Sequence, residues 1–217
     1  ECIVAQDIAD LVEGLVGPKG VALSIRELSQ KIQREEVAFK VAQQVAQGKF
    51  SQGDQTPEQL AEQAIRTALA IFTEGLTAEP IQGIAQVKIK TNADRTRYLA
   101  VYFAGPIRSA GGTDQALTLV VGDYVRRELN LDKYKPTEEE VSRFVEELRL
   151  YERSVGRFQY HIPDAELRKA LNIVPVECTG TESDPVEVSS YRNLERVETN
   201  RVRGGALRVI NDGIVER

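Results

Sequence analysis

The segment from Gly105 to Thr113 has the residue types that bind an anionic group. It reads Gly-Pro-Ile-Arg-Ser-Ala-Gly-Gly-Thr, between an apolar run and a predicted helix. Glycine lets the backbone approach a ligand closely, and a helix N-terminus presents free N–H groups and the positive end of the helix dipole. Arg108 and Ser109 add donors suited to phosphate. The pattern makes Arg108, Ser109, Gly111 and Gly112 candidate phosphate contacts.

No common nucleotide-binding motif contains this segment. The Gly-Lys pair of the sequence, Gly48-Lys49, precedes Phe50, where a P-loop has Ser or Thr, and no G-x-G-x-x-G occurs. The alternative is that Gly111 and Gly112 only satisfy the geometry of a tight strand-to-helix turn. The sequence leaves both interpretations open.

A second candidate is the arginine-rich stretch between Arg192 and Arg203, which reads Arg-Asn-Leu-Glu-Arg-Val-Glu-Thr-Asn-Arg-Val-Arg. Arginine, asparagine and threonine are common contacts of the nucleic-acid backbone. We therefore take Arg192, Arg201 and Arg203 as candidate nucleic-acid contacts. The two glutamates within the stretch fit a structural network of ion pairs equally well, and the alternatives stay open here.

Catalytic and metal-ligating patterns are not found in the sequence. His161 is the single histidine, and Cys2 and Cys178 form neither a metal pattern nor a disulfide framework. The carboxylates of Glu138–Glu140 and Glu146–Glu147 fit helix-start stabilisation and i,i+4 pairing. We predict no catalytic residue, no metal ligand and no cofactor in this chain.

Composition indicates a globular protein without a membrane span. The 217 residues are 41% hydrophobic and 28% charged, and the net charge is −5. Residues 1–80 hold 7 basic and 12 acidic residues, whereas residues 81–217 hold 21 of each. Few cysteines and no apolar run long enough for a membrane predict a cytoplasmic protein. The chain lacks Met, so we expect a piece of a longer protein.

The first eighty residues predict helices. The spacing of apolar residues predicts one over 8–16, ended by Gly17-Pro18. A capping box at Ser24–Glu27 predicts a long helix that ends at Gly48. A second box at Thr56–Gln59, with proline at the first helical position, predicts another.

After Pro80 the pattern becomes mixed. β-rich runs at 84–89 and 98–103 predict a hairpin, and the second run is apolar on both faces, as an interior strand is. Further predicted elements are a helix over 113–129, a helix capped by Thr137, a short helix capped by Asp164, and a short strand at 186–188. The predicted class is α+β, with a helical region at 1–80 and, at 81–217, a small sheet flanked by helices.

Four segments in this order resemble the N-terminal part of the large subunit of archaeal family D DNA polymerases, also called DNA polymerase II. They are Tyr102–Thr113, Asp123–Arg127, Tyr134–Glu140 and Val197–Gly205. The resemblance implies template-directed DNA synthesis with Mg²⁺ in the full enzyme. It also implies a small subunit with 3′–5′ exonuclease activity and primer–template DNA as partners, with a sliding clamp possible through the full enzyme.

The resemblance does not extend to a catalytic motif. Family members hold metal on an Asn-Ala-Asp-Phe-Asp-Gly-Asp motif, whereas Asn92-Ala-Asp94 continues here as Arg-Thr. We therefore expect this piece not to polymerise alone. Three hypotheses follow: an accessory module that contacts the DNA backbone, a purely structural or subunit-contact domain, and, from the 105–113 loop alone, an unrelated nucleotide-binding enzyme.

Overall fold

The structure, a computed structural model, describes residues 7–215. The first part is helical, as predicted, and its fourth helix packs against the first and the third through buried alanine and other apolar side chains. The Thr56 capping box is confirmed, because the Thr56 hydroxyl accepts from the Gln59 N–H and the Gln59 side chain returns to the Thr56 N–H. The four helices are α1 (Ile8–Val16), α2 (Val21–Ser29), α3 (Arg34–Ala46) and α4 (Pro57–Phe72).

The long helix predicted behind Ser24 is wrong. Two helices, α2 and α3, occupy that stretch, and the chain turns between Gln30 and Gln33. Ser24 lies inside α2, where it is buried and its hydroxyl donates to the Gln44 Oε1 at 2.6 Å. The Ser24 hydroxyl, which the sequence pattern assigned to a helix cap, therefore joins two helices instead. The turn lets the apolar faces of α2 and α3 enter one core.

The sheet has three strands in the order β1 (Ile84–Thr91), β2 (Arg97–Phe103), β3 (Glu177–Gly180). The β1–β2 pair is the predicted antiparallel hairpin, and β3 joins β2 in parallel, which confirms β2 as the interior strand. β3 was not predicted. The strand predicted at 186–188 is wrong, since that stretch makes only an isolated bridge between Glu187 and Arg201.

Both faces of β2 are covered. Leu99, Val101 and Phe103 enter the large core, which also contains buried residues of α4 and α6. Tyr98 and Tyr102, together with Ala100, form a second buried cluster on the opposite face. The large cluster of buried apolar side chains runs without a break across the predicted boundary at residue 80.

The remaining helices surround the sheet. They are α5 (Glu79–Gln82), a 3₁₀ helix (Gly105–Ser109), α6 (Gly112–Glu128), α7 (Glu138–Ser154), α8 (Asp164–Ile173), α9 (Gly204–Arg208) and a π-helix (Val209–Val215). The Thr137 capping box of α7 is confirmed. Asp164 is the first residue of α8 rather than its cap, and its carboxylate accepts from Arg149. Within residues 7–215, no helix combines the length and apolarity that a membrane crossing needs.

Candidate nucleic-acid interface

The glycine–arginine loop lies at the C-terminal end of β2, as predicted. β2 leads through the 3₁₀ helix Gly105–Ser109 into Gly111, the N-cap of the seventeen-residue helix α6. No side chain caps this end of α6. The first N–H groups of the helix therefore have no side-chain acceptor from the cap residue, which is the arrangement that favours an anion.

A cavity of about 400 Å³ opens at this helix end. Arginines line it from two distant parts of the sequence, Arg108 in the loop and Arg208 in α9. The other lining residues are Ala110, Gly111, Gly112, Gln115, Gln159 and Asp212. The structure thus brings together three of the four predicted loop residues, and Ser109 is exposed beside the cavity without lining it.

Arg108 is held by weak bonds. Its Nη1 lies 3.2 Å from the Asp184 Oδ1, and its Nε lies 3.4 Å from the Gly105 carbonyl oxygen. Charge-assisted bonds are usually 2.7–2.9 Å long. About a third of the Arg108 side chain is exposed, so its guanidinium is accessible from the cavity.

Arg208 is held more firmly. Its Nη1 donates to the Asp212 Oδ2 at 2.8 Å, its Nη2 donates to the Arg157 carbonyl at 2.7 Å, and it lies over the Phe158 ring. Arg208 stands just beyond the arginine-rich stretch and was not among the predicted site residues. Only the fold, which brings α9 against the 3₁₀ helix, places it at the loop.

Gln115 fixes the shape of the loop and was also missed. It is 2% exposed, and its Nε2 donates to the carbonyl oxygens of Ile107 and Ala110 at 3.1 and 2.9 Å. Its Oε1 has no hydrogen-bond partner among the described residues. The sequence signal that could have identified Gln115 is its position in the first turn of a predicted helix, shortly after two glycines.

Gly112 has a packing role that Gly111 lacks. A Cβ on Gly112 would lie 2.7 Å from the Asp212 carbonyl oxygen, which belongs to the π-helix. A Cβ on Gly111 would meet no atom within 4 Å. The interpretation that both glycines serve backbone geometry therefore holds for Gly112, where the chain passes too close for a side chain.

The arginine-rich stretch is neutralised by glutamates from other parts of the chain. Arg192 pairs with Glu187 at 3.0 Å, and Arg201 pairs with Glu182 at 3.2 Å. All four of these side chains are between 44% and 51% exposed. Exposed pairs are worth little, so these two arginines stay available to another anion.

Arg203 is not available at the surface, which corrects its selection as a nucleic-acid contact. It is 3% exposed, and its Nη2 donates to the Glu147 Oε1 at 2.8 Å. Glu147 also accepts from Arg143 of the same helix at 2.7 Å, which is the predicted i,i+4 pairing. Burial opposes the charge on Arg203, but Glu147 outweighs it and raises the arginine's pKa. The group is a buried ion triad.

Arg143 connects this triad to the arginine-rich stretch. Its Nη1 donates to the Tyr191 carbonyl at 2.8 Å, and its Nη2 donates to the Thr199 carbonyl at 2.6 Å. Burial lowers the pKa of Arg143 in spite of the attraction of Glu147. Because charged donors bind carbonyls strongly, the stretch is fixed against α7.

The same stretch also covers the tyrosine face of the sheet. Arg196 makes two bonds to the Glu140 carboxylate, at 2.6 and 2.7 Å, and lies over the rings of Tyr98 and Tyr134. Glu198 accepts from Tyr102 at 2.8 Å. A network of ion pairs is therefore present in this stretch.

The other candidate groups do not form a site. His161 is 71% exposed beside Glu152, and Cys178 is buried, which raises the pKa of its thiol. Cys2 lies outside the described residues. Within residues 7–215, no group of three or more metal-ligating side chains comes together.

Comparisons with a family model and with individual known proteins point to the same family. All 217 residues match a family model described as DNA polymerase II large subunit DP2, N-terminal. The DNA polymerase II large subunit of Methanococcus vannielii is 54% identical over 215 residues, which cover 99% of this chain and 19% of that protein. The protein of the same name from Thermococcus kodakarensis is 54% identical over 216 residues, 98% of this chain and 12% of that protein. The chain spans one fifth or less of the length of such relatives.

Proposed function

The chain belongs to the DNA polymerase II large-subunit family, and from that premise we propose that it is an accessory region of an archaeal replicative polymerase. Template-directed DNA synthesis belongs to the complete enzyme. We place its Mg²⁺ on residues elsewhere in the large subunit. We further propose a cytoplasmic complex with an exonuclease small subunit, primer–template DNA and, through the full enzyme, a sliding clamp.

Within that enzyme, we propose that the loop contacts the DNA backbone. The observation that carries this is the cavity at the start of α6, where Arg108 and Arg208 line the same opening as a helix end that no side chain caps. Arginine binds phosphate with two parallel bonds, and Arg108 has weak partners to give up. Phosphate contacts position a protein on DNA without reading its sequence.

The alternative is a structural or subunit-contact region without DNA contact. It is favoured by the buried triad of Arg143, Glu147 and Arg203, and by the pairing of the exposed arginines. The acidic charge of residues 1–80 suits a protein partner better than DNA. The two proposals differ in whether Arg108 meets a phosphate.

The deciding experiment uses the complete polymerase complex and labelled primer–template duplex at about 50 to 200 mM salt. We expect Arg108→Gln to weaken binding and to reduce the slope of log K against log salt by about 1, because one phosphate contact is lost. Arg168→Gln, an exposed arginine of α8 that pairs with Glu138 and is not a candidate contact, is the matched comparison for a loss of charge elsewhere.

An Arg108→Gln enzyme with the salt slope and affinity of the wild type would contradict the loop contact and favour the structural alternative. That alternative predicts that the chain retains the small subunit in a pull-down. The third hypothesis, an independent nucleotide-binding enzyme, predicts heat on titration with nucleotide and Mg²⁺, and we expect none.

A further inference from the structure

Three exposed cations lie together at the other end of β2 from the loop. Arg95 lies in the turn between β1 and β2, and Arg97 is the first residue of β2. Lys133 lies in the segment after α6. None of their side chains makes an ion pair or a hydrogen bond within residues 7–215. We call this surface, formed by residues 94–97 and 132–135, the hairpin edge.

The hairpin edge is fixed by a buried asparagine. Asn92 is 3% exposed, its Nδ2 donates to the Lys133 carbonyl, and its Oδ1 accepts from the Lys135 N–H, both at 2.9 Å. In addition, the Asp132 N–H donates to the Arg97 carbonyl at 2.8 Å. The backbones of the two segments are therefore held together, which lowers the backbone entropy that they lose on binding a ligand.

The acidic residues of the hairpin edge are already occupied. The Lys135 Nζ lies 2.6 Å from both the Asp94 Oδ2 and the Asp132 Oδ2. The hairpin edge thus contains four positive and two negative side chains, so its net charge is +2, whereas the net charge of the whole chain is −5. A neighbouring groove contains Glu139 and Glu195, so the positive surface is small.

We infer that the hairpin edge binds the phosphate backbone of DNA through Arg95, Arg97 and Lys133. Guanidinium groups match the geometry of phosphate oxygens, and three exposed cations without acidic partners within residues 7–215 give this edge the charge that a phosphate backbone attracts. This inference rests on the proposed function only in requiring that DNA reaches this part of the polymerase; it uses none of the loop residues.

The two surfaces lie at opposite ends of β2. The seven residues of β2 separate the hairpin edge from the 3₁₀ helix, and a strand rises about 3.3 Å per residue, so these ends of the strand lie about 20 Å apart. Their contributions to binding can be separated by substitution.

The test uses the complete polymerase complex with the triple variant R95Q/R97Q/K133Q. The matched control is K19Q/K31Q/K40Q, which removes three exposed lysines in residues 1–80 that also have no ion-pair partner among the described residues. Binding of labelled primer–template duplex is measured between about 50 and 200 mM salt. We expect the edge variant to lose about tenfold or more in affinity at 100 mM salt and about 3 from the salt slope.

The control should keep the wild-type slope. An edge variant with the same affinity and slope as the control would overturn the inference. The inference would also fail if the edge variant lost the small subunit but still bound DNA normally, because the hairpin edge would then be a protein contact. If only Arg108→Gln weakens binding, the inference fails and the loop contact stands. If only the edge variant weakens binding, the inference stands and the loop contact fails.

Discussion

Arg201 and Arg203 are two positions apart, yet their guanidinium groups lie in opposite environments. Arg201 is about half exposed and pairs with an equally exposed Glu182 at 3.2 Å. Arg203 is buried, and Glu147 accepts bonds from its side chain and from its backbone N–H. In an extended stretch, side chains two positions apart lie on the same face. The two arginines differ because the chain turns at Arg203, the N-cap of α9.

We predict that Arg203→Ala destabilises the chain by about 3–5 kcal/mol, because it breaks a buried ion pair and removes one of the two arginines that neutralise the buried Glu147 carboxylate. Arg201→Ala should change the free energy of unfolding by about 1 kcal/mol or less, since its pair is exposed. Urea denaturation followed by circular dichroism measures both. Equal effects of the two substitutions would contradict the buried triad.

At this scale the sequence predicted pairings within one helix better than pairings across the fold. The i,i+4 relation of Arg143 and Glu147 is readable because helical spacing alone brings them together. Which arginine of the 192–203 stretch is buried depends on how that stretch crosses α7, and no local pattern contains this information. Arg108 was selected because its neighbours are glycines at a strand-to-helix junction, and its contact with DNA stays a prediction.

At the scale of elements, the start of α6 packs directly on the π-helix. The close approach is at Gly112, where an added Cβ would lie 2.7 Å from the Asp212 carbonyl oxygen. Gly111, one residue earlier, has φ −66°, which any residue adopts, and open space around its Cα. Close packing therefore requires glycine at position 112, whereas position 111 has room for a side chain.

Gly112→Ala should destabilise the chain by about 1–3 kcal/mol, because the methyl group has to push two helices apart. Gly111→Ala should leave the free energy of unfolding within about 0.5 kcal/mol of wild type. Thermal unfolding distinguishes them. A Gly112→Ala variant as stable as Gly111→Ala would show that the π-helix does not pack this closely.

Glu146 joins α7 to the start of the arginine-rich stretch. Its carboxylate accepts from the N–H groups of Ser189, Ser190 and Tyr191 at 2.8, 3.0 and 3.1 Å. Burial opposes the charge, but these hydrogen bonds outweigh it and hold the pKa of Glu146 below its usual value. Because the pKa of Glu146 is lower in the folded state than in the unfolded state, its ionised carboxylate stabilises the fold at pH values above the unfolded pKa. This stabilisation is lost as the pH falls towards the folded pKa.

We therefore expect wild type to be more stable than Glu146→Gln at pH 7, and the difference to shrink as pH falls from about 5 through the unfolded pKa of about 4.3 towards the lower folded value. Denaturation midpoints at several pH values measure this. Glu139→Gln, whose carboxylate makes no hydrogen bond within the described part of the chain, is the control. A pH-independent difference would contradict the role of the charge.

The elements that were predicted correctly carry local signals. The boxes at Thr56 and Thr137 and the hairpin with its doubly apolar second strand are set by neighbouring residues. The break between α2 and α3 was missed because Ser24 has the pattern of a cap but bonds to Gln44. The short β3 was missed because its pairing partner, β2, lies more than seventy residues earlier.

At the scale of the whole molecule, one core unites the helical part and the sheet. Buried apolar residues form a single cluster that includes Val41 and Ala64 before residue 80 and Leu99 and Ile210 after it. α4 packs on both β1 and α6. Since the two regions share their buried surface, neither can lose its structure without exposing that of the other.

We predict that the chain unfolds as one cooperative unit. All seven tyrosines lie after residue 80, and the chain has no tryptophan, so tyrosine fluorescence reports mainly on the second region, although Tyr124 also contacts Phe39 of α3. Circular dichroism at 222 nm includes α1–α4 as well. The two transitions in urea should coincide. Separate midpoints would show two independent units divided near residue 80.

The parallel pairing of β3 with β2 also has a consequence for synthesis on the ribosome. The hairpin is complete once residue 103 has been made, but β3 begins at residue 177, 74 residues later. At roughly 5–20 residues per second, translation needs about 4–15 seconds to supply it. During that interval the nascent chain carries a strand that is apolar on both faces and has an open edge, which favours aggregation. We expect this region to need protection by chaperones until β3 emerges.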